Sequence, residues 1–212
     1  MDRDEWVPHD AAHGSGRVSN PFSTRFVRPG ALPFRFPPGM TVIDLIGRLR
    51  CQGWWGQIIG PHGSGKSTLL RTLEPELLAA GRTIHWFEFH TGHQRRFAAR
   101  TRNAAGDDRS LVVIDGYEQL SWFERFRWQR YCRRQHWGLL VTAHQDCRLP
   151  HLLGTQTTIP LAQQLVRQLL PPNDCFAIQD DVVADAFHAC SGNLRETWFR
   201  LYDQCENRSG AT

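Results

Sequence analysis

The chain has 212 residues, 41% of them hydrophobic and 22% charged, with a formal net charge of +4. That length holds one full core, or a core with a small appendage, and no apolar run reaches the roughly 18 residues of a membrane span. A mildly basic balance permits contact with nucleic acid without demanding it. The opening MDRDEWVPHDAAHGSGR is polar and acidic with no apolar h-region, so no secretory leader is expected and the cytoplasm is the expected compartment. The six cysteines are scattered without a C-x-x-C pair, which predicts reduced, buried thiols in place of a disulfide framework or a zinc site. His85, His90 and His93 have no recognised ligand spacing.

Residues 1–40 are rich in Pro, Gly and Arg and read as an irregular arm whose Phe22, Phe26, Phe34 and Phe36 pack onto the body. TVIDLIGRLR (41–50) places Val42, Leu45, Ile46 and Leu49 at helical spacing behind Thr41 as N-cap. WWGQIIG then reads as a buried strand and GKSTLLRTLEPELLAAG as a helix stopped by Gly81. TIHWFEF is a second strand, GHQRRFAARTRNAAGDD a helix and loop. SLVVIDG is a third strand, apolar throughout as a strand covered on both faces should be. YEQLSWFERFRWQRYCRRQ is a long helix, WGLLVTAH a fourth strand, and TQTTIP a candidate edge strand. LAQQLVRQLLP, QDDVVADAFHAC and SGNLRETWFRLYDQCE close the chain as helices. Strand–helix alternation predicts a three-layer α/β fold with a parallel sheet. The expected division is an arm over 1–40, an α/β core over 41–160 and a helical lid over 161–212.

The stretch GPHGSGKST, residues 60–68, satisfies G-x-x-x-x-G-K-[ST]. Glycines at 60, 63 and 65 let successive N–H groups turn into one hollow, and the helix that begins there adds its positive end. Pro61, His62, Ser64 and Thr68 complete the loop. Lys66 is expected to reach the β- and γ-phosphates and the Ser67 hydroxyl to ligate Mg²⁺. Of the 25 lysine and arginine residues, Lys66 is the single lysine. A planar guanidinium cannot deliver a compact charge into a closed loop, which is why this position resists arginine. About fifty residues on, LVVID (111–115) is the Walker B pattern, an apolar strand that carries Asp115 to the sheet edge beside the cation.

With both motifs placed, the chain over about 50–206 resembles the additional-strand P-loop ATPases and, among them, the AAA+ superfamily. The resemblance implies strand order 5-1-4-3-2, ATP and Mg²⁺ as ligands, hydrolysis, a protein partner and an oligomer. Thr142, with His144 at the end of the fourth strand, resembles sensor 1; the alternative is a threonine that satisfies backbone groups at a strand end. SGNLRE (191–196) resembles sensor 2. Asn193 and Glu196 have capping-box spacing, which puts Arg195 in the first turn of the last helix, either reaching nucleotide or simply exposed. The resemblance thus implies Lys66, Glu118, Thr142 and Arg195 as catalytic.

The chain also departs from the family pattern. Gly116, not glutamate, follows Asp115, so the base is Glu118, or Glu88, or hydrolysis is slow. Arg148 is the candidate trans-acting arginine. The signature LSGGQ of transporter ATPases does not occur. Arg127, Arg130, Arg133 and Arg134, and upstream Arg95, Arg96, Arg100 and Arg102, interleave with Trp128, Tyr131 and Trp137. They form either a nucleic-acid face, with the aromatics available to stack, or a solvated face, with the aromatics packed on the sheet. The expected function is a Mg²⁺-dependent ATPase. The alternatives are a non-hydrolysing ATP-dependent switch and a P-loop small-molecule kinase.

Overall fold

A computed structural model of the chain describes residues 20–89, 107–170 and 178–209. Residues 1–19 of the arm, the expected helix with Arg95, Arg96, Arg100 and Arg102, and Cys175 lie outside the described residues.

Five strands form one sheet: β1 (Trp55–Ile59), β2 (Thr83–Glu88), β3 (Ser110–Asp115), β4 (Gly138–Ala143) and β5 (His151–Gly154). The order is β2-β3-β4-β1-β5 and every neighbouring pair is parallel. This is the expected 5-1-4-3-2 order read from the other edge. The side chains of β3 alternate between two cores, as the period-2 pleat requires. Leu111 and Val113, with Leu140 of β4, face α2 (Val42–Cys51) and α3 (Lys66–Ala79), where Leu45, Leu49, Leu69 and Leu73 close the layer. Val112 and Ile114, with Leu139 and Val141, face Trp128 and Cys132 of α4 (Trp122–Arg134).

Three boundaries differ from the sequence reading. The long helix expected from Tyr117 is a single 3₁₀ turn, Tyr117–Gln119, followed by α4. Ser121 separates them: its hydroxyl caps the Glu124 N–H, and the Glu124 carboxylate returns to the Ser121 backbone. The fifth strand is His151–Gly154, not TQTTIP, because the hydroxyls of Thr155, Thr157 and Thr158 have other partners, described below. The arm also contains one helical turn, α1 (Thr24–Val27).

The C-terminal helices α5 (Ile159–Leu169), α6 (Asp180–Ala189) and α7 (Leu194–Ser209) share a cluster of buried side chains of their own, including Leu165, Val183, Phe187, Trp198 and Leu201. Thr158 caps α5 through the Leu161 N–H. Phe22 of the arm is buried in that cluster, its ring 6.0 Å from Trp198 and nearly parallel to it. Asn20 Nδ2 donates to Tyr202 O and to Glu206 Oε1. Phe34 and Phe36 pack against the sheet core instead. The arm therefore lies along both parts of the molecule.

Candidate functional site

In a parallel sheet all strands end at one edge, and a crevice opens there between strands whose connections diverge. The loops after β1, β3, β4 and β5 meet at that edge. In the first, Gly65 takes a left-handed conformation (φ 88°) and starts α3 at Lys66. Ser64 is buried, 2.8 Å from Pro61 O and 2.6 Å from Thr155 Oγ1. Thr155 N donates to Ile59 O at 2.7 Å. The segment after β5 thus braces the loop from behind.

Gly63 meets the helical region. Its φ is 68°, and a Cβ there would lie 1.8 Å from Asn193 Oδ1. Both the backbone angle and the close approach require glycine. Asn193 Oδ1 accepts from the N–H groups of Arg195 and Glu196 and so caps α7. The capping box expected here is half made, since Asn193 N donates to Cys190 O. Thr157 Oγ1 donates to Gly192 O at 2.6 Å, a second tie between the sheet edge and the helices. Between them lies a cavity of about 410 Å³ lined by Pro61, Gln156, Thr157, Phe187, His188 and Gly192.

Lys66 is 8% exposed, and its ammonium donates to Gly60 O and Pro61 O, both at 2.7 Å. Burial lowers its pKa, while the charges of Glu118 and then Asp115 pull it back up. The lone lysine therefore lies in the field of both carboxylates.

Thr142 is fully buried. Its hydroxyl donates to Asp115 Oδ1 at 2.5 Å and accepts from Gly116 N at 2.9 Å. It fixes the aspartate and the turn after it. Gly116 has φ 84°, and a Cβ there would lie 2.3 Å from Phe89 O. No side chain fits at 116, which accounts for the missing glutamate. Glu118 sits on the 3₁₀ turn with Oε1 2.8 Å from His144 Nε2, an ion-pair distance without hydrogen-bond alignment, and among the described residues its Oε2 is buried with no hydrogen-bond partner. Glu88 is paired with Arg71 at 2.5 Å.

His144 is the residue that sequence reasoning underused. Its Nδ1 is 3.0 Å from Gly60 O and 3.3 Å from Lys66 Nζ, and its ring stands 3.8 Å from that of His62. With Glu118 on its other nitrogen, it spans the loops after β1 and β3. Its place after an apolar strand was the available signal. Gln57 of β1 holds the following loop: Nε2 donates to Asp146 Oδ1 and Leu149 O, and Oε1 accepts from Cys147 N. Arg195 is exposed, with its guanidinium 5.9 Å over the Phe199 ring of its own helix. Arg148 is exposed as well.

No protein-family model matches the chain. A stretch of 90 residues is 34% identical to the cobalt import ATP-binding protein CbiO of Rhodobacter capsulatus. It takes in 42% of this chain and 31% of that protein, so the match spans under a third of the relative's length. The similarity and the all-parallel sheet together fit a P-loop NTPase. Among the described residues no helix is long and apolar enough to cross a membrane.

Proposed function

We propose that the chain is a Mg²⁺-dependent ATPase of AAA+-like plan that couples its nucleotide state to a protein partner. One observation carries the reading: a glycine-strained loop after β1 draws in the lone lysine and touches the cap of α7 at Gly63. The residues present fit a triphosphate with its cation. The Lys66 ammonium rests on the loop's own carbonyls, Gly60 O and Pro61 O, with His144 Nδ1 3.3 Å away, and among the described residues Glu118 Oε2 is buried without a hydrogen-bond partner.

A bound ATP with Mg²⁺ supplies the phosphoryl bond to be broken and the cation that neutralises it. The backbone of Gly60, Pro61, His62, Gly63, Ser64 and Gly65 forms the hollow, and Thr68 lies on α3 just behind it. Lys66 exchanges its carbonyl partners for phosphate oxygens. Ser67 and Asp115 would hold the cation, with Thr142 orienting Asp115. Glu118 accepts the proton of the attacking water, and His144 governs when it is free to do so. Arg195 swings from Phe199 toward the phosphates as the helical part, 161–212, closes on the core, 41–160. The cavity beside Pro61 takes the base.

The contact between His144 and Glu118 favours a second reading, in which the base stays held and the protein is an ATP-dependent switch with little turnover. Equilibrium ATP binding and Mg²⁺-dependent hydrolysis, measured for the wild type beside Lys66→Ala, test both. Turnover that disappears in the variant supports the ATPase. Binding without turnover leaves the switch, and no ATP binding by the wild type overturns both readings.

A further inference from the structure

The sequence offered Trp128, Tyr131 and Trp137 as rings interleaved with arginines, but Trp128 and Trp137 are buried in the core under the sheet and Tyr131 is half-buried. Trp128 and Trp137 support the sheet and present no face to a ligand. The rings on the outside of α4 are different ones. Trp122 is 79% exposed, Phe123 54% and Phe126 52%. Exposed aromatics grouped on one helix are costly to leave in water, and such patches mark sites of interaction.

The same helix is strongly cationic. Its sequence WFERFRWQRYCRR has five arginines and one acid, and that acid, Glu124, is engaged in the N-terminal capping box. Arg127, Arg130, Arg133 and Arg134 are exposed. The (i, i+4) ridge runs Trp122, Phe126, Arg130, Arg134, so rings occupy the first half and guanidiniums the second, over about 18 Å of helix. Phe126 and three of the arginines line a cleft of about 220 Å³.

We infer that the outer face of α4 binds single-stranded nucleic acid, with bases stacked on Trp122, Phe123 and Phe126 and phosphates held by the four exposed arginines. Charge complementarity selects a polyanion. The rings select one whose flat faces are open, which a duplex lacks along its length and a single strand presents at every nucleotide. At about 3.4 Å per nucleotide the ridge spans roughly five of them. The surface is also tied to the candidate site: Arg125, on the inner side of α4, donates to Glu118 O and Leu120 O at 2.9 Å each.

The test is anisotropy of a labelled oligothymidylate of about twenty nucleotides with the full chain, without nucleotide, across a salt series. R130E/R134E is expected to bind at least tenfold more weakly, with a salt slope shallower by about 1.4, at about 0.7 per phosphate contact. W122A/F126A is expected to lose at least fivefold from stacking. R35E/R200E carries the same charge change on other exposed arginines and keeps nearly wild-type affinity. The residues changed in these three double variants are exposed, so their thermal unfolding midpoints stay close to wild type. Equal weakening by R35E/R200E overturns the inference, because net charge alone then explains binding. Full affinity in W122A/F126A, with poly-glutamate competing as well as unlabelled oligonucleotide, overturns it in favour of an acidic protein partner. Loss of binding in Lys66→Ala with R130E/R134E intact overturns it too, since the strand then sits in the phosphate loop. Retained binding in Lys66→Ala keeps this inference separate from the ATPase reading.

Discussion

The loops after β1 and β3 share one sheet edge and are held by different physics. The first is locked by backbone and buried hydroxyls: Gly63 and Gly65 in left-handed conformations, Ser64 against Thr155, and Asn193 seated on Gly63. The second has one rigid end, where Thr142 grips Asp115 and Gly116, and one loose end, where Glu118 leans on a histidine. On the proposed function, the rigid parts are those that a phosphate and a cation would need preformed. On the same reading, the loose part is the carboxylate that would change partner.

The largest break in this comparison comes from Gly63→Ala. Left-handed backbone strain alone costs about 1–3 kcal/mol, and the new methyl collides with Asn193 Oδ1, 1.8 Å away. Chemical denaturation is expected to show at least that loss, and ATP binding to disappear. Adding Asn193→Ala removes the obstructing oxygen and should restore part of the stability. No recovery in the double variant would mean that the collision is not with the α7 cap.

Thr142→Val tests the rigid end of the second loop. Valine keeps the shape and removes the hydroxyl, leaving Gly116 N without its acceptor and Asp115 without its donor. The expected cost is about 1–3 kcal/mol, the usual penalty for orphaning a buried polar group. Thr142→Ser keeps the hydroxyl and should recover most of it. The Mg²⁺ concentration for half-maximal activity should rise in the valine variant alone. An unchanged Mg²⁺ requirement would show that Asp115 needs no orientation from β4.

The difference between the loops also decides what could be read from sequence. The first loop and its helix are contiguous, so glycine spacing and one lysine announced them, and β3 announced Asp115 by its apolar run. The strand order followed from alternation together with the family resemblance. What holds these parts comes from far along the chain: Thr155 lies 91 residues from Ser64, and His144 84 residues from Gly60. No local pattern marks such partners, because topology alone brings them together. TQTTIP looked like a strand because threonines favour strands. Its hydroxyls instead brace the loop, tie Gly192 and cap α5. Whether Trp128 faced outward or packed on the sheet stayed open for a related reason: helical spacing gives a face, but not which face meets the sheet.

Asn193→Ala by itself is a smaller perturbation. It removes the α7 cap, worth about 1 kcal/mol, and leaves Gly63 unobstructed. The unfolding midpoint should fall slightly while ATP affinity changes little. A large loss of affinity at that small cost would show that the cap positions the loop and is more than its neighbour.

The smallest expected effect is a pH dependence carried by His62. Its pKa is lowered from the ordinary 6.5, chiefly by burial, then by His144 and Lys66, with Glu118 acting in the opposite direction. In the unfolded chain the imidazole takes up a proton near its ordinary value, and in the folded chain only at lower pH. The unfolded state therefore binds more protons as the solution is acidified, and stability falls as pH drops through 6.5 toward the lowered folded value. Above 6.5 the term is constant. His62→Gln should lose less stability than wild type between about pH 7.5 and about 5.5, read as denaturation midpoints. Equal losses would mean that His62 is not the group that responds. Glu118→Gln sharpens the test: without that charge the His62 pKa falls further, so the acid loss should deepen relative to wild type. The two loops are then linked by charge: Glu118 on the second raises the proton affinity of His62 on the first, against burial and the charges of His144 and Lys66.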